Sequence, residues 1–447
     1  MDVLGSLGCL IKYDPLRLTG SVAATFQPEQ VSQRTANSPP LRWRRPTNRT
    51  IHHAVDTQHM TVNLGGFELQ QAGSPVSVML LAHDEVLPSN ADGIVLGEVT
   101  AKPLTLDDWF KYQNGEPLFV EIRGRVDVGS NTSKPGAPPV GTWVCRSLQI
   151  DPAIKNESIC LVDGGWLPLI YCLAGTNIFV DKNVVAEIKA RFDGGTIKPG
   201  VAAEKDFLDL LVQQPCSSSL NPLPYGLEGN IQGLPDVDLV HEQLRIALAD
   251  LAGAIPDVKV WPKSYDRAQT QATLDSYRPY FSEDMEFLQK VGPSLMATTG
   301  RSKRRAAWQM LIQAARETGI SPQHMSVVMA LSALTASQNF NPAKKVLKPA
   351  IVYGAEQAYN ATWDVFLLFL LRQFQLHSPV HRSALLTRDK NLAMLWMGMK
   401  IQKVSTDLGG GFQAVFDERL LKCDAEEVAY LQTLLGSNKI HLEHPLS

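Results

Sequence analysis

The sequence predicts an α/β protein in which a β-rich N-terminal part precedes a larger part built on a parallel sheet. In the first part, short alternating or β-branched runs such as "PLFVEIRGRVDV" are separated by turn-rich stretches such as "GSNTSKPGAPPVG". This pattern is typical of an antiparallel sandwich or barrel. In the second part, apolar strands alternate with helical patterns, which indicates a parallel sheet with covered faces.

Length and pattern divide the 447 residues into four segments. A chain of this length exceeds the usual size of a single core, so more than one domain is expected. We place an irregular arm at residues 1–55, a β-rich domain at 56–165, an α/β domain at 166–405 and a C-terminal extension at 406–447. A large helical insertion is expected inside the α/β domain, at about residues 235–355.

The bulk composition excludes several classes of protein. The chain has 42 Lys and Arg against 45 Asp and Glu, so any nucleic-acid partner must be held by a local patch rather than by overall charge. Six cysteines without CxxC or CxxH spacing argue against a zinc ribbon or a disulfide framework. The run "VFLLFLL" is too short to span a bilayer, and the N-terminus is a poor secretory signal. These features predict a soluble, cytoplasmic protein with no membrane partner.

The elements of the α/β part follow from hydrophobic periodicity. The run "TNIFVD" (176–181) predicts a buried strand, and "KNVVAEIKARF" continues as a helix with its apolar residues on one side. Further helices are predicted at about 204–213, 239–252, 303–318 and 321–338, with a strand "VKVW" at 258–261. The last predicted elements are an apolar helix from Asp364 to Phe374, the strand "ALLT", a helix from Lys390 to Met399 and the strand "IQKV".

Three aspartates stand where a parallel sheet places its ligands, beyond the carboxyl ends of the strands. Asp181 ends the first strand, Asp364 opens the most hydrophobic helix, and Asp389 follows "ALLT". Taken singly, each is expected to be a helix N-cap, because Asp is favoured at that position. Taken together, three converging carboxylates would repel one another unless a divalent cation neutralised them, and oxygen ligands suit Mg²⁺ or Mn²⁺.

These motifs carry a resemblance to a known family. The run "IFVDKNVV" resembles the opening strand of a PIN (PilT N-terminal) domain, in which an apolar run precedes Asp, any residue, and then Asn or Ser. The runs "TWDVFLLFLLRQF" and "ALLTRDKNLAMLW" resemble the closing half of that family, an Asp-led helix and a strand ending in Thr-x-Asp. The resemblance covers about residues 168–405, and it implies a three-layer PIN-like fold and a metal-dependent nuclease acting on RNA or, less often, on DNA.

The resemblance also implies a set of site residues. The family pattern includes a further acid, and we choose Glu228 in the Gly- and Pro-rich run "NPLPYGLEGNIQG". Its rivals lie on the polar face of a predicted helix and are Glu204, Asp206 and Asp209. The implied catalytic and Mg²⁺- or Mn²⁺-binding residues are Asp181, Glu228, Asp364 and Asp389. Asn183 and Thr387 would orient the carboxylates.

One basic cluster is a candidate for nucleic-acid binding. The run "GRSKRRAAWQ" begins a predicted helix, whose N-terminal amides favour anions, and its charged residues are Arg301, Lys303, Arg304 and Arg305. A solubilising helix end explains the same cluster equally well, so both interpretations stay open. The basic run "LRWRRPTNR" in the N-terminal arm is interpreted as a solvated segment.

The main hypothesis for function is therefore a Mg²⁺- or Mn²⁺-dependent endoribonuclease, and family habit alone suggests a toxin-like or defence setting. The alternative is a non-catalytic interaction or scaffold protein with a degenerate PIN-like domain. In either case the β-rich part is a candidate surface for a protein partner or for a homo-oligomer. A dinucleotide-binding enzyme is disfavoured, because no GxGxxG motif follows a predicted strand.

Overall fold

The computed structural model describes two short early strands and most of the chain beyond residue 93. The described residues are 67–70, 77–80, 94–127, 138–150, 157–172, 176–201, 207–213, 219–229, 233–261, 264–297, 299–377, 382–404, 412–436 and 440–443. The predicted arm at 1–55 lies outside the described residues, as do the rival acids Glu204 and Asp206.

The protein is mixed α/β and contains several sheets, one of which combines parallel and antiparallel strands. The strands are β1 (Phe67–Gln70), β2 (Ser77–Leu80), β3 (Ile94–Ala101), β4 (Leu118–Val126), β5 (Trp143–Ile150), β6 (Ile159–Val162), β7 (Gly165–Leu167), β8 (Asn177–Val180), β9 (Phe192–Asp193), β10 (Thr196–Ile197), β11 (Ser219–Asn221), β12 (Ser383–Thr387), β13 (Met399–Val404), β14 (Phe412–Asp417) and β15 (Ile440–Glu443).

The helices lie mainly in the second half of the chain. They are α1 (Leu106–Gln113), α2 (Lys182–Arg191), α3 (Leu210–Gln213), α4 (Leu223–Glu228), α5 (Val237–Ala254), α6 (Arg267–Val291), α7 (Arg301–Glu317), α8 (Met325–Thr335), α9 (Pro342–Leu347), α10 (Ala355–His377), α11 (Lys390–Gly398) and α12 (Ala425–Leu434). Short 3₁₀ turns occur at Leu169–Tyr171, Phe207–Asp209 and Gly292–Met296.

The β-rich part is a five-stranded antiparallel sheet in the order β1-β2-β3-β4-β5. Its strand β4 alternates buried and exposed residues along its whole length, as expected for a sheet with one covered face. The helix α1, which was not predicted from the sequence, follows β3. It begins with a capping box between Thr105 and Asp108. Its Trp109 packs edge-on against Trp166 with ring centroids 5.3 Å apart, which joins this part to the next sheet.

The central sheet has the order β11-β8-β12-β6-β7. Strands β11, β8 and β12 run parallel, whereas β6 is antiparallel to β12 and β7 is antiparallel to β6. The expected parallel sheet is therefore present in part, as three parallel strands extended by two antiparallel ones. The physical reason is that β6 and β7 form a hairpin closed by the two residues Asp163 and Gly164, and a hairpin makes its strands antiparallel. The sequence analysis placed this hairpin in the β-rich domain.

Within the helical segment between β11 and β12, aromatic side chains pack α6 against α10. Tyr277, Tyr280 and Phe281 of α6 lie 4.7, 5.5 and 5.0 Å from Phe366 of α10, measured between ring centroids. The helix α6 was not predicted from the sequence, and Pro279 lies inside it at an exposed position. The predicted strand "VKVW" is reduced to one parallel bridge between Val260 and Leu220.

The helix α10 begins earlier than the sequence analysis expected. It starts at Ala355 rather than at Asp364. The polar run that precedes Asp364 is helical because residues such as Ala358 and Tyr359 pack into the core. As a result, Asp364 is an interior helix residue, and the N-cap interpretation does not apply to it.

The C-terminal extension, predicted at 406–447, supplies two strands of a separate three-stranded sheet, and the end of the predicted α/β domain supplies the third. The predicted strand "IQKV" is part of β13, which pairs antiparallel with β14, and β14 pairs parallel with β15. The following helix α12 packs on α7, where Trp308 and Tyr430 stack with ring centroids 6.3 Å apart. Among the described residues, no helix is long and apolar enough to cross a membrane.

We predict that Gly292→Ala destabilises the fold. A Cβ atom at this buried position would lie 2.4 Å from Cγ of Tyr353. The rigid ring of Tyr353, which lies in the connection before α10, packs against the 3₁₀ turn at this point. Overpacking of this kind costs about 1–3 kcal/mol in the free energy of unfolding. Chemical denaturation of the variant measures this loss.

The matched control is Gly253→Ala, inside α5, where a Cβ atom meets nothing within 4 Å. Alanine is the better helix former by up to about 1 kcal/mol, so this variant is expected to be as stable as the wild type or more stable. Equal stability of Gly292→Ala and Gly253→Ala would contradict the contact between Gly292 and Tyr353.

Candidate functional site

The candidate site is organised by two neighbouring parallel strands. In the register of β8 and β12, Val180 pairs with Leu386, and the backbone N–H of Asp181 donates to the carbonyl oxygen of Leu386 at 3.0 Å. The residues that follow each pair therefore lie side by side at the carboxyl edge of the sheet. There the hydroxyl of Thr387 donates a hydrogen bond of 2.7 Å to Oδ2 of Asp181, and both residues are buried.

The carboxylate of Asp181 is held by three donors. Besides Thr387, the side-chain amide of Asn183 donates to Oδ2 at 3.0 Å, and the backbone N–H of Lys182 donates to Oδ1 at 2.7 Å. Burial raises the pKa of Asp181, and the charge of Asp389 adds to this effect, while the three hydrogen bonds oppose it. The carboxylate is thus fixed in direction but placed where negative charge is costly.

Asp389 is tied to the same hydroxyl and also caps a helix. Its backbone N–H donates to Oγ1 of Thr387 at 3.1 Å, and its Oδ1 accepts from the backbone N–H groups of Asn391 and Leu392 at 2.8 and 3.0 Å. The N-cap interpretation therefore describes Asp389, as it describes Asp181 at the start of α2. Capping uses one oxygen of Asp389, and Oδ2 has no hydrogen-bond partner within the described part of the chain.

Asp364 lies in the interior of α10, and its carboxyl group is affected by the charges of the acids described above. Its pKa is raised well above the ordinary value by burial, with Lys348 opposing the rise and the charges of three other acids adding to it. Those three acids are Asp389, Asp181 and Glu228. Because Coulomb interactions weaken with distance, these charge effects indicate that the three acids lie in the same region of the structure as Asp364. The structure therefore brings together four acids that are far apart in the sequence.

Glu228 enters the site at the end of α4. Burial raises its pKa to about 7, with the charge of Asp181 adding to the rise and Lys182 opposing it. The rival acid Asp209 belongs elsewhere, because it is fully buried and is engaged by the guanidinium of Arg191. Among the described candidates for the fourth acid, Glu228 is therefore the one beside the aspartates.

Two lysines flank the acids. The ammonium of Lys182 lies 3.7 Å from Oε1 of Glu228 and donates to the carbonyl oxygen of Gly229 at 2.8 Å. The ammonium of Lys348 lies 3.7 Å from Oδ2 of Asp364. Each lysine thus supplies positive charge on one side of an otherwise acidic cluster.

The donor set fits a hard divalent cation in its chemistry, since the four acids offer only oxygen atoms. In their present positions, however, no three His, Cys, Asp or Glu side chains among the described residues form a group that could hold a metal ion. A cation at this place would have to draw them closer.

The basic cluster predicted at the start of α7 is largely used for internal ion pairs. Arg301 pairs with Asp424, and the half-buried Arg304 donates to Glu427 at 2.9 Å. Arg305 pairs with Glu426, whereas Lys303 is exposed. These arginines fasten the C-terminal helix α12, so a role in nucleic-acid binding stays a prediction for this cluster.

Arg388, which adjoins the acids in the sequence, also has internal partners. Its guanidinium contacts Glu187 and lies 2.7 Å from Glu157. It therefore connects α2 to the chain before β6 instead of facing the carboxylates.

A cleft next to the acids was missed by the sequence analysis. Its volume is about 890 Å³, and Lys344, Lys345 and Lys348 line it together with the apolar side chains of Met296, Phe340 and Met394. We call it the lysine cleft. The run "NPAKKVLKP" was the available signal, but only the fold shows that its three lysines share one cavity with the N-terminal turn of α11.

Comparisons with known proteins found no matching family model, no matching curated protein and no matching solved structure. The resemblance to PIN domains therefore stays a prediction that rests on the motifs around Asp181, Asp364 and Asp389.

We predict that Thr387→Val destabilises the protein, although valine has the same shape as threonine. The change removes the donor to Asp181 and the acceptor for the N–H of Asp389 in a fully buried place. Unsatisfied buried polar groups cost about 1–3 kcal/mol, and chemical denaturation measures the difference. Thr387→Ser is the control, because it keeps the hydroxyl and loses only a methyl group. A valine variant as stable as the wild type would show that this hydroxyl does not organise the site.

Proposed function

We propose that this protein is a metal-dependent phosphodiesterase that cleaves RNA, with an active site at the carboxyl edge of β8 and β12. One observation carries the proposal. The hydroxyl of Thr387 joins Asp181 to the backbone of Asp389 across two adjacent parallel strands, and the charges of both aspartates and of Glu228 act on Asp364. Acids gathered beyond the carboxyl ends of parallel strands form the usual ligand site of such sheets.

The proposal includes a PIN-like arrangement for the α/β part. In support of it, the strand that precedes Asp181 lies between β11 and β12, parallel to both. The strands β6 and β7 are antiparallel to their neighbours, but they lie on the far side of β12 from β8. They leave the pairing that carries the acids unchanged.

Asp181, Glu228, Asp364 and Asp389 are the residues that would hold Mg²⁺ or Mn²⁺. Such a cation, when bound, polarises the scissile phosphate and lowers the pKa of a bound water for in-line attack. The chain itself does the positioning. Thr387 and Asn183 fix the direction of the Asp181 carboxylate, and the first amides of α11 hold Oδ1 of Asp389 so that Oδ2 faces away from the cap.

The alternative is a non-catalytic interaction protein, and one observation favours it. On the β-rich sheet, Phe119 and Trp143 remain 54% and 46% exposed, which is unusual for large apolar side chains and suits a protein contact. The alternative explains the exposed side chains of this sheet but gives no reason for Asp181 and Asp389 to share a buried hydroxyl near two further acids. We therefore keep it as the interpretation to adopt if cleavage fails.

The decisive test is Mn²⁺-dependent cleavage of a labelled single-stranded RNA by the wild type and by Asp181→Asn, Asp364→Asn and Asp389→Asn. Each variant keeps the size of the side chain and removes its charge, so we expect a loss of at least about a hundredfold in rate. Titration calorimetry with Mn²⁺ is expected to show weaker metal binding by each variant.

The control is Asp275→Asn, at an exposed position of α6 where the carboxylate accepts only a surface hydrogen bond from Gln271. It is expected to cleave at the wild-type rate, and circular dichroism checks that all variants are folded. Wild-type activity in Asp364→Asn would count most heavily against the proposal, because Asp364 is not a helix cap.

A further inference from the structure

The lysine cleft opens directly beside the proposed active site. Lys348 lines the cleft, and its ammonium also lies 3.7 Å from Oδ2 of Asp364. On the other side, Asn391 lines the cleft, and its backbone N–H donates to Oδ1 of Asp389 at 2.8 Å. Two different elements thus connect the cleft to two of the four acids. A chain lying in the cleft would end at the carboxylates.

The lining of the cleft has two chemical characters. Lys344, Lys345 and Lys348 give it positive charge, and none of its described lining residues is acidic. Such a cavity is a local exception in a protein whose formal net charge is -3. The apolar side chains of Met296 and Phe340 line the same space, and Met296 is 42% exposed.

The backbone at Lys348 is strained. Its φ angle is +47°, and among the described residues Glu98 is the other non-glycine residue with positive φ. Lys348 is the C-cap of α9, a position where glycine adopts this conformation without the cost of a Cβ atom. Strained residues of this kind cluster at functional sites. We therefore attribute the presence of lysine at this position to its positive charge, because glycine would form the turn more easily.

We infer that the lysine cleft binds a single-stranded nucleic acid and leads its backbone to the acids at the edge of β8 and β12. The lysines contact phosphates, and the apolar side chains contact the faces of unstacked bases. A duplex does not fit this lining, because its base faces are already stacked on one another. The inference rests on the proposed function, for which it names the surface that binds the substrate.

Contacts with other elements hold the walls of the cleft in place. Phe340 packs edge-on against Phe110 of α1 with ring centroids 5.2 Å apart, so the β-rich part braces one wall. The ammonium of Lys344 donates to the carbonyl oxygen of Met296, which ties α9 to the 3₁₀ turn. Lys345 is exposed, and its charge faces the solvent of the cleft.

The test measures binding without turnover. Fluorescence anisotropy of a labelled 12-nucleotide single-stranded RNA is recorded in EDTA with the full-length protein, and the same is done with single-stranded DNA and with a duplex. The variants are Lys345→Gln, Lys344→Gln/Lys345→Gln and Lys348→Gly. Lys345→Gln is safe for the fold, because this side chain is exposed. The matched control is Lys259→Gln/Lys422→Gln, which removes two exposed lysines that lie outside the cleft and outside the basic cluster at the start of α7.

We expect the double variant Lys344→Gln/Lys345→Gln to weaken binding of the single strand about tenfold, and the control to bind like the wild type. The slope of log affinity against log salt is expected to fall by about 1.4, since each phosphate contact to a single strand contributes about 0.7. Lys348→Gly is expected to bind more weakly. Glycine relieves the strain but also removes the ammonium beside Asp364, so the melting temperature of this variant serves only to check that it is folded.

Wild-type binding by both Lys345→Gln and the double variant would overturn the inference, and so would equal loss in the control or tighter binding of the duplex. Tighter binding of single-stranded RNA or of single-stranded DNA supports the inference and shows which of the two nucleic acids the cleft binds. The two proposals fail separately. If the aspartate variants lose cleavage while the lysine variants bind normally, only the cleft is wrong. If the lysines govern binding but the wild type cleaves nothing in Mn²⁺, the inferred binding stands and the phosphodiesterase proposal falls.

Discussion

The pairing of β8 with β12 is the constraint on which the candidate site depends. These strands are separated by about two hundred residues, yet their parallel register places Asp181 directly beside Thr387. A parallel pair needs a crossover connection, and here that connection contains most of the helices of the protein. One hydroxyl then serves both strands, since it donates to Asp181 and accepts from the backbone of Asp389. Loss of this register would separate the acids.

The second requirement is the gathering of negative charge, which the fold must hold against repulsion. Burial and the neighbouring acids raise the pKa of Asp364 and of Glu228, and this indicates that the ionised forms are costly where they stand. Lys182 and Lys348 reduce the cost from opposite sides. The aromatic contacts between α6 and α10 keep Asp364 in place, since Phe366 lies two positions beyond it. Ionisable groups that are held where their charged forms are unfavourable are typical of functional sites.

The helical segment therefore has two roles in our interpretation. It completes the acidic cluster through α10, and it forms the lysine cleft through α9 and the connection that follows it. The β-rich part contributes as well, because Phe110 supports Phe340 at the cleft and Trp109 supports Trp166 in the central sheet. Recognition of a substrate would then take place beside the residues proposed to carry out the chemistry.

The sequence by itself determined several local features, namely the strand β8, some of the helices and the acids after two strands. Periodicity and capping act between near neighbours, which is why these features can be predicted. It also favoured Glu228 over its rivals. Only the tertiary structure decided that α10 begins at Ala355, that Arg304 pairs with Glu427, and that three lysines share a cavity with Asn391. Each of these depends on contacts between residues distant in the chain. Residues distant in the chain decide which side chains are buried and which charges are neutralised. A local sequence pattern therefore cannot predict these properties.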